Sequence, residues 1–255
     1  MTESNESSGN RFDRLDATAK VVTSALTHNN CRHGFIGGYA VSLVGGLRIT
    51  DDVDLLVDAD PANIRELLLQ VSGFQLTRAN NLVFMRGKDV VKVEILRGGN
   101  TRQMKLPDAN TVPLHYSSLR NVHDSDTGIP IVHPSVLVLT KLKRWAPIAE
   151  STRPKSVIKA RGDFEDITAI LDWLVGNNLR IDFTAYPEKP KEELLPYFRK
   201  LYEIHSESRS LLQATMKAPH PQLDSWEIVR QSRTTHSAIV RYFSAIEPQS
   251  HDFIP

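Results

Sequence analysis

Phe35-Ile36-Gly37-Gly38, followed after thirteen residues by Asp52-Val53-Asp54-Leu55, is the stretch from which this sequence is best read. Phe35-Ile36 reads as a short strand that stops at Gly37-Gly38, and Tyr39 to Val44 as a short helix closed by Gly45-Gly46. Val53 to Val57 reads as the next strand. Side chains alternate along a strand, so Asp52 and Asp54 point to one face while Val53 and Leu55 anchor the other. Two carboxylates held at fixed separation are what a hard divalent cation needs. A Gly-Gly step before a helix leaves backbone N–H groups open to a phosphate. Taken singly, the glycines also read as a tight turn and the aspartates as solvated strand ends. Their order and spacing favour the joint reading.

Working outward, Phe12, Leu15, Val22, Ala25 and Leu26 fall at helical spacing, after a polar stretch from Met1 to about Arg11 that reads as a disordered tail. Pro61 suits the first turn of a helix running to Val71. Leu82–Arg86 and Val90–Leu96 flank Gly87-Lys88-Asp89 as a hairpin. Residues 98–128 read as loop with one or two short strands, and Ile129–Val132 as a last strand. Helices then dominate: Pro134–Trp145, a stripe from Phe164 to Val175, a longer helix from Leu194 to Leu212, and a final one from Trp226 to Phe243. The Pro219 and Pro221 break makes the last two a helical hairpin. The expectation is an α+β chain with a mixed sheet flanked by helices: a core over 12–132 and a helical C-terminal region over 133–255.

This pattern resembles the DNA polymerase β-like nucleotidyltransferase superfamily, whose signature is a Gly-Gly or Gly-Ser turn, about a dozen residues, then Asp-x-Asp between apolar residues. The fuller run Gly37-Gly38-Tyr39-Ala40, Arg48-Ile49-Thr50, Asp52-Val53-Asp54 is similar to the branch containing abortive-infection nucleotidyltransferase toxins. The resemblance implies transfer of a nucleoside monophosphate from an NTP to an acceptor hydroxyl. Asp52 and Asp54 would hold Mg²⁺ or Mn²⁺, with a third carboxylate on a neighbouring strand. Glu94, between apolar residues in Lys92-Val93-Glu94-Ile95, is the candidate, and Asp89 reads as a turn former. Leu139-Thr140-Lys141-Leu142 and Lys159-Ala160-Arg161-Gly162-Asp163-Phe164-Glu165-Asp166-Ile167 resemble that branch's helical motif. By resemblance, Lys141 would reach the triphosphate, and Arg161 and Asp163 would lie near the nucleotide, with Gly37, Gly38, Arg48 and Thr50 completing the site. Asp163 and Asp166 also read as acids complementing a helix dipole. Tyr39 stands where the family has a small hydroxyl residue, so Thr50 or Ser42 would have to supply the hydroxyl.

The totals set bounds. With 40% apolar and 24% charged residues and a net charge of +1, no global field drives the chain onto nucleic acid or membrane. Attraction for a polyanion must be local, and the stretch from Lys141 to Arg161 is the place: it carries Lys143, Arg144, Arg153, Lys155 and Lys159 against Glu150. RNA is therefore the acceptor expected ahead of protein or a small molecule. The same stretch also reads as a solvated basic face. A single cysteine, Cys31, suits a reducing compartment, and the polar N-terminus lacks the apolar core of a signal peptide, so a cytoplasmic or nuclear location is expected, without a membrane span. No Walker loop, Rossmann fingerprint, HExxH or Gly-x-Ser-x-Gly appears, and the histidines lack zinc-ligand spacing.

Overall fold

In a computed structural model of the protein, which describes residues 7–99, 104–119 and 128–216, the strand carrying the two aspartates lies in the middle of a mixed sheet. Its strands, in chain order, are β1 (His33–Ile36), β2 (Asp52–Val57), β3 (Phe74–Leu76), β4 (Leu82–Arg86), β5 (Asp89–Arg97), β6 (Leu114–Ser117) and β7 (Ile129–Val132). They are arranged in the order β3-β4-β5-β2-β1-β7-β6. β2 runs antiparallel to β1 and parallel to β5, while β7 is parallel to β1 and antiparallel to β6. Central strands buried on both faces become continuously apolar, and β1 and β7 are buried throughout.

Helices α1 (Ser7–His28), α2 (Gly37–Ser42) and α3 (Pro61–Leu69) pack on this sheet. α3 starts where proline chemistry requires: Asp60 caps it by accepting from the Ala62 amide at 2.8 Å, and Pro61 is its first residue. After β7, α4 (Pro134–Trp145) follows at once, capped by the His133 ring. α5 (Pro154–Gly176) packs along α4, α6 (Lys191–Ile204) on α4, and α7 (Arg209–Met216) on α5. Val53, Leu55, Leu137, Leu142, Ile167 and Leu171 are fully buried in one core that runs from sheet to helices. Each such side chain contributes about 2 kcal/mol by leaving water. Among the described residues no helix is long and apolar enough to cross a membrane.

Several elements differ from the sequence reading. α1 begins at Ser7, so residues 7–11 of the expected tail are helical; a helix nucleated on the apolar stripe extends over polar residues at small cost. β3 escaped notice because only Phe74 of its three residues is buried. Asp89 opens β5 instead of sitting in the turn, which is Gly87-Lys88 alone. α5 starts ten residues before Phe164, at Pro154. Its first two turns stand clear of the core, with Ala160 the first buried residue, so no apolar stripe marks them. The helix expected from Leu194 to Leu212 breaks at His205, where the backbone turns extended before a single 3₁₀ turn. The final helix and the hairpin at Pro219 and Pro221 lie outside the described residues.

Candidate active site

Parallel register places Asp54 beside Glu94 and Asp52 beside Lys92. Residues paired across parallel strands share a face, so three carboxylates meet at one end of the sheet. One oxygen from each of Asp52, Asp54 and Glu94 lies within 4.8 Å of the others. Opposite ligands of a Mg²⁺ ion stand about 4.2 Å apart, so three hard oxygen donors at this spacing fit such an ion with little side-chain rotation. Thr50 Oγ1 donates to Asp52 Oδ1 at 2.9 Å and orients that carboxylate, while Lys92 Nζ lies 3.1 Å from Glu94 Oε2.

The glycines have a steric reason. The antiparallel register sets Ile36 opposite Asp54, so the next residue passes directly over the carboxylate. A Cβ on Gly37 would sit 1.7 Å from Asp54 Oδ2, and Gly37 has φ +79°, a conformation that L side chains rarely adopt. A Cβ on Gly38 would meet Arg48 and Thr50. Here α2 begins at Gly37, so the pair forms its first turn and does not precede it.

Facing the acids is a cationic wall built by two helices. Lys141 and Arg144 lie one turn apart on α4, and Asp163 and Asp166 one turn apart on α5. Lys141 Nζ donates to Asp166 Oδ2 at 2.7 Å, and Arg144 Nε donates to both Asp163 oxygens at 2.8–2.9 Å. Arg48 reaches across from the α2–β2 loop and also donates to Asp166, its Nε and Nη2 both at 3.1 Å from a carboxylate oxygen. A buried carboxylate with two cationic donors is well compensated. Asp166 is thus the anchor of the wall, in mid-helix and far from any dipole role. Burial pulls Lys141 below the usual lysine range, with Asp166 opposing that fall.

Between the acids and the cations lies a cavity of about 610 Å³. Gly37, Gly38, Arg48, Thr50, Asp52, Asp54, Glu94 and Lys141 all line it. Two residues singled out in the sequence do not. Asp163 is buried against Arg144, and Arg161 is 81% exposed and pairs with Glu165. Arg144, Lys143, Lys159 and an apolar side of Ile36, Leu96, Met104 and Leu106 line it without having been singled out for it. Lys143 donates to Lys105 O and to Tyr186 Oη, both at 2.8 Å, and so ties the wall around Leu106 in place. Burial, then repulsion from Lys189 and Lys105, pulls its pKa down to about 8. Tyr39 faces away: its ring is buried edge-on to Phe35, and its hydroxyl donates to Asp16 Oδ1 at 2.9 Å. The hydroxyl in the cavity is that of Thr50, whereas Ser42 donates back to Tyr39 O.

Burial first, then repulsion from Asp52 and Glu94, pushes the Asp54 carboxyl up to about 6, against the pull of Lys141 and Arg144. A carboxyl raised above its unfolded value stabilises the fold fully below that unfolded value, near pH 4, and the gain is lost as pH rises through about 6. A divalent cation relieves the repulsion that remains, but competes with protons at low pH. Thermal melts should therefore show Mg²⁺ or Mn²⁺ raising the melting temperature more at about pH 7.5 than at about pH 5. An equal rise at both would dissociate the cation from this cluster.

No family model matches the sequence, and no curated protein matches it. Among solved structures the chain is similar to an antigenic nucleotidyltransferase-like protein from Paracoccidioides brasiliensis, at 19% identity and a TM-score of 0.59, covering 81% of this chain and 95% of that one. It matches JHP933 from Helicobacter pylori more loosely, at 13% identity and a TM-score of 0.44, over 95% of this chain and 100% of that one. With its mixed sheet, flanking helices and the likeness to the Paracoccidioides protein, the chain has the nucleotidyltransferase fold.

Proposed function

We propose that the protein is a metal-dependent nucleotidyltransferase that moves a nucleoside monophosphate from an NTP to an acceptor hydroxyl, releasing pyrophosphate. The observation that carries this reading is the opposition of three convergent carboxylates and a cationic wall across one cavity. A protein that only binds nucleotide has no need of three repelling acids, one of them held half-protonated near pH 6. Asp52, Asp54 and Glu94 would hold Mg²⁺ or Mn²⁺, which when bound neutralises the triphosphate and makes the acceptor hydroxyl easier to deprotonate. Glu94, on the neighbouring strand with a partly exposed carboxylate, helps take that proton. Lys141, Arg144 and Lys159 attract the β- and γ-phosphates and the charge that grows on departing pyrophosphate. The first turn of α2 lets its N–H groups approach the phosphates, since glycine leaves no side chain between. The apolar side formed by Leu96, Met104 and Leu106 accepts the base. In this reading α4 and α5, from the helical part after residue 133, complete the nucleotide site of the preceding core.

The acceptor we favour is an RNA end, ahead of a protein or small-molecule hydroxyl, because Lys143, Arg144 and Lys159 of the basic stretch line this cavity. The single cysteine accords with a cytoplasmic or nuclear site of action. Incubation with each α-labelled NTP, Mg²⁺ or Mn²⁺ and a cell extract should release pyrophosphate and place label in RNA. NTP binding without pyrophosphate release would make the protein a nucleotide-binding module instead. Label confined to protein or small molecules would reassign the acceptor.

A further inference from the structure

The loop between α2 and β2 is turned inside out. Its charged residue, Arg48, points inward to Asp166, and Gly162 permits the crossing: a Cβ there would lie 2.8 Å from Arg48 Cδ. Its apolar neighbours point outward, with Leu47 92% and Ile49 63% exposed. Across from them, the first turns of α5 leave Ile158 74% exposed. Aliphatic side chains scattered singly over a surface need no explanation, but three around one groove mark a surface that something covers. The loop is pinned by Arg48, so the exposure belongs to the folded structure and is not a fraying end.

Leu47, Ile49 and Ile158 line a groove of about 520 Å³ that shares Arg48, Arg144 and Lys159 with the cavity described above. The groove therefore opens into the candidate active site. Its charge is positive. Arg48, Arg144, Lys159 and Arg161 line it against Asp163 and Glu165. Asp163 is turned away to Arg144 and Glu165 pairs with Arg161, which leaves Lys159 without an ion-pair partner among the described residues. Cations beside flat apolar surface suit one chemistry in particular, a single-stranded nucleic acid, whose phosphates meet the cations and whose bases pack on the aliphatic faces.

Resting on the transferase reading, we propose that this groove is the acceptor subsite and seats the 3′-terminal nucleotides of a single-stranded RNA. Lys159 holds the terminal phosphate, and Leu47, Ile49 and Ile158 carry the last bases. The terminal ribose oxygen is thereby brought to the α-phosphorus. The new O–P bond forms as the bond to the α–β bridging oxygen breaks. Pyrophosphate leaves with that electron pair, and the hydroxyl proton passes to Glu94.

The test is a double variant, Leu47→Ser with Ile158→Ser, titrated with a short oligoribonucleotide bearing a free 3′ hydroxyl. Both side chains are solvated, so the melting temperature should stay at the wild-type value. RNA affinity should fall about ten- to a hundredfold, as loss of apolar contact at two aliphatic side chains does, with NTP affinity changed by less than about twofold. RNA affinity unchanged in the variant overturns the subsite, as does label entering protein in place of RNA in the wild type. Failure of the wild type to bind any NTP would overturn the transferase reading instead, and the RNA titration would still decide the groove.

Discussion

Replacing Asp54 or Asp52 by Asn is expected to abolish metal-dependent pyrophosphate release, a loss of about a thousandfold or more, because each change removes a negative ligand from a cluster of three. The same substitutions should leave the fold intact. Asn has the shape of Asp, and at position 52 it still accepts the hydrogen bond from Thr50. In the absence of divalent cations the melting temperature should hold or rise. Asp54 is held well above the usual carboxylate range by burial and by Asp52 and Glu94, so its ionised form is a burden near neutral pH. Removing that charge should stabilise the Asp54→Asn protein by about 1 kcal/mol, once partial exposure is discounted. Activity lost together with stability would mean a folding defect, and full activity in either variant would remove the carboxylates from the chemistry.

Asp166→Ala is expected to have the largest effect on stability. Its carboxylate is buried and bonded to both Lys141 and Arg48, and no other acid among the described residues bonds to Lys141. Truncation strands a buried ammonium, at a cost of about 3–5 kcal/mol and a fall in melting temperature on the order of 10 °C. Asp166→Asn keeps the shape and one acceptor, so it should fold better while still losing the charge that opposes the fall in the Lys141 pKa. With that support gone, Lys141 loses its proton more readily as pH rises. NTP affinity of the Asn variant should therefore decline with rising pH earlier than that of the wild type does. Melts at wild-type temperature together with unchanged NTP affinity would show that the pair is dispensable and that Lys141 is not a phosphate contact.

The parts of the site that were legible in the sequence are those set by short-range rules. Two-residue alternation alone puts Asp52 and Asp54 on one face, and proline at a first turn marks the starts of α3 and α4. Glu94 could be chosen over Asp89 because it sits between apolar residues in the middle of a strand, although the turn given to Asp89 is one residue shorter in the structure. The glycine pair was visible, but its reason was not: Gly37 is required by the passage of β1 over Asp54, which depends on strand register. Short elements with a mostly exposed pattern, such as β3 and the first turns of α5, carry no periodicity to read.

The sequence by itself therefore determined the mixed α+β architecture and the shared face of Asp52 and Asp54, because backbone period, turn chemistry and the alternation of apolar residues act within a few positions. The expectation of a third acid at Glu94 came from the family resemblance. Only the tertiary structure decided which charges meet. Arg48 and Asp166 are 118 residues apart, Lys141 and Asp166 are 25 apart, and Tyr39 finds Asp16 across 23. Asp163 and Asp166 read locally as ordinary helix acids. Their partners were settled by the docking of α5 along α4 and of the α2–β2 loop onto both, where burial leaves an unpaired charge too costly to keep.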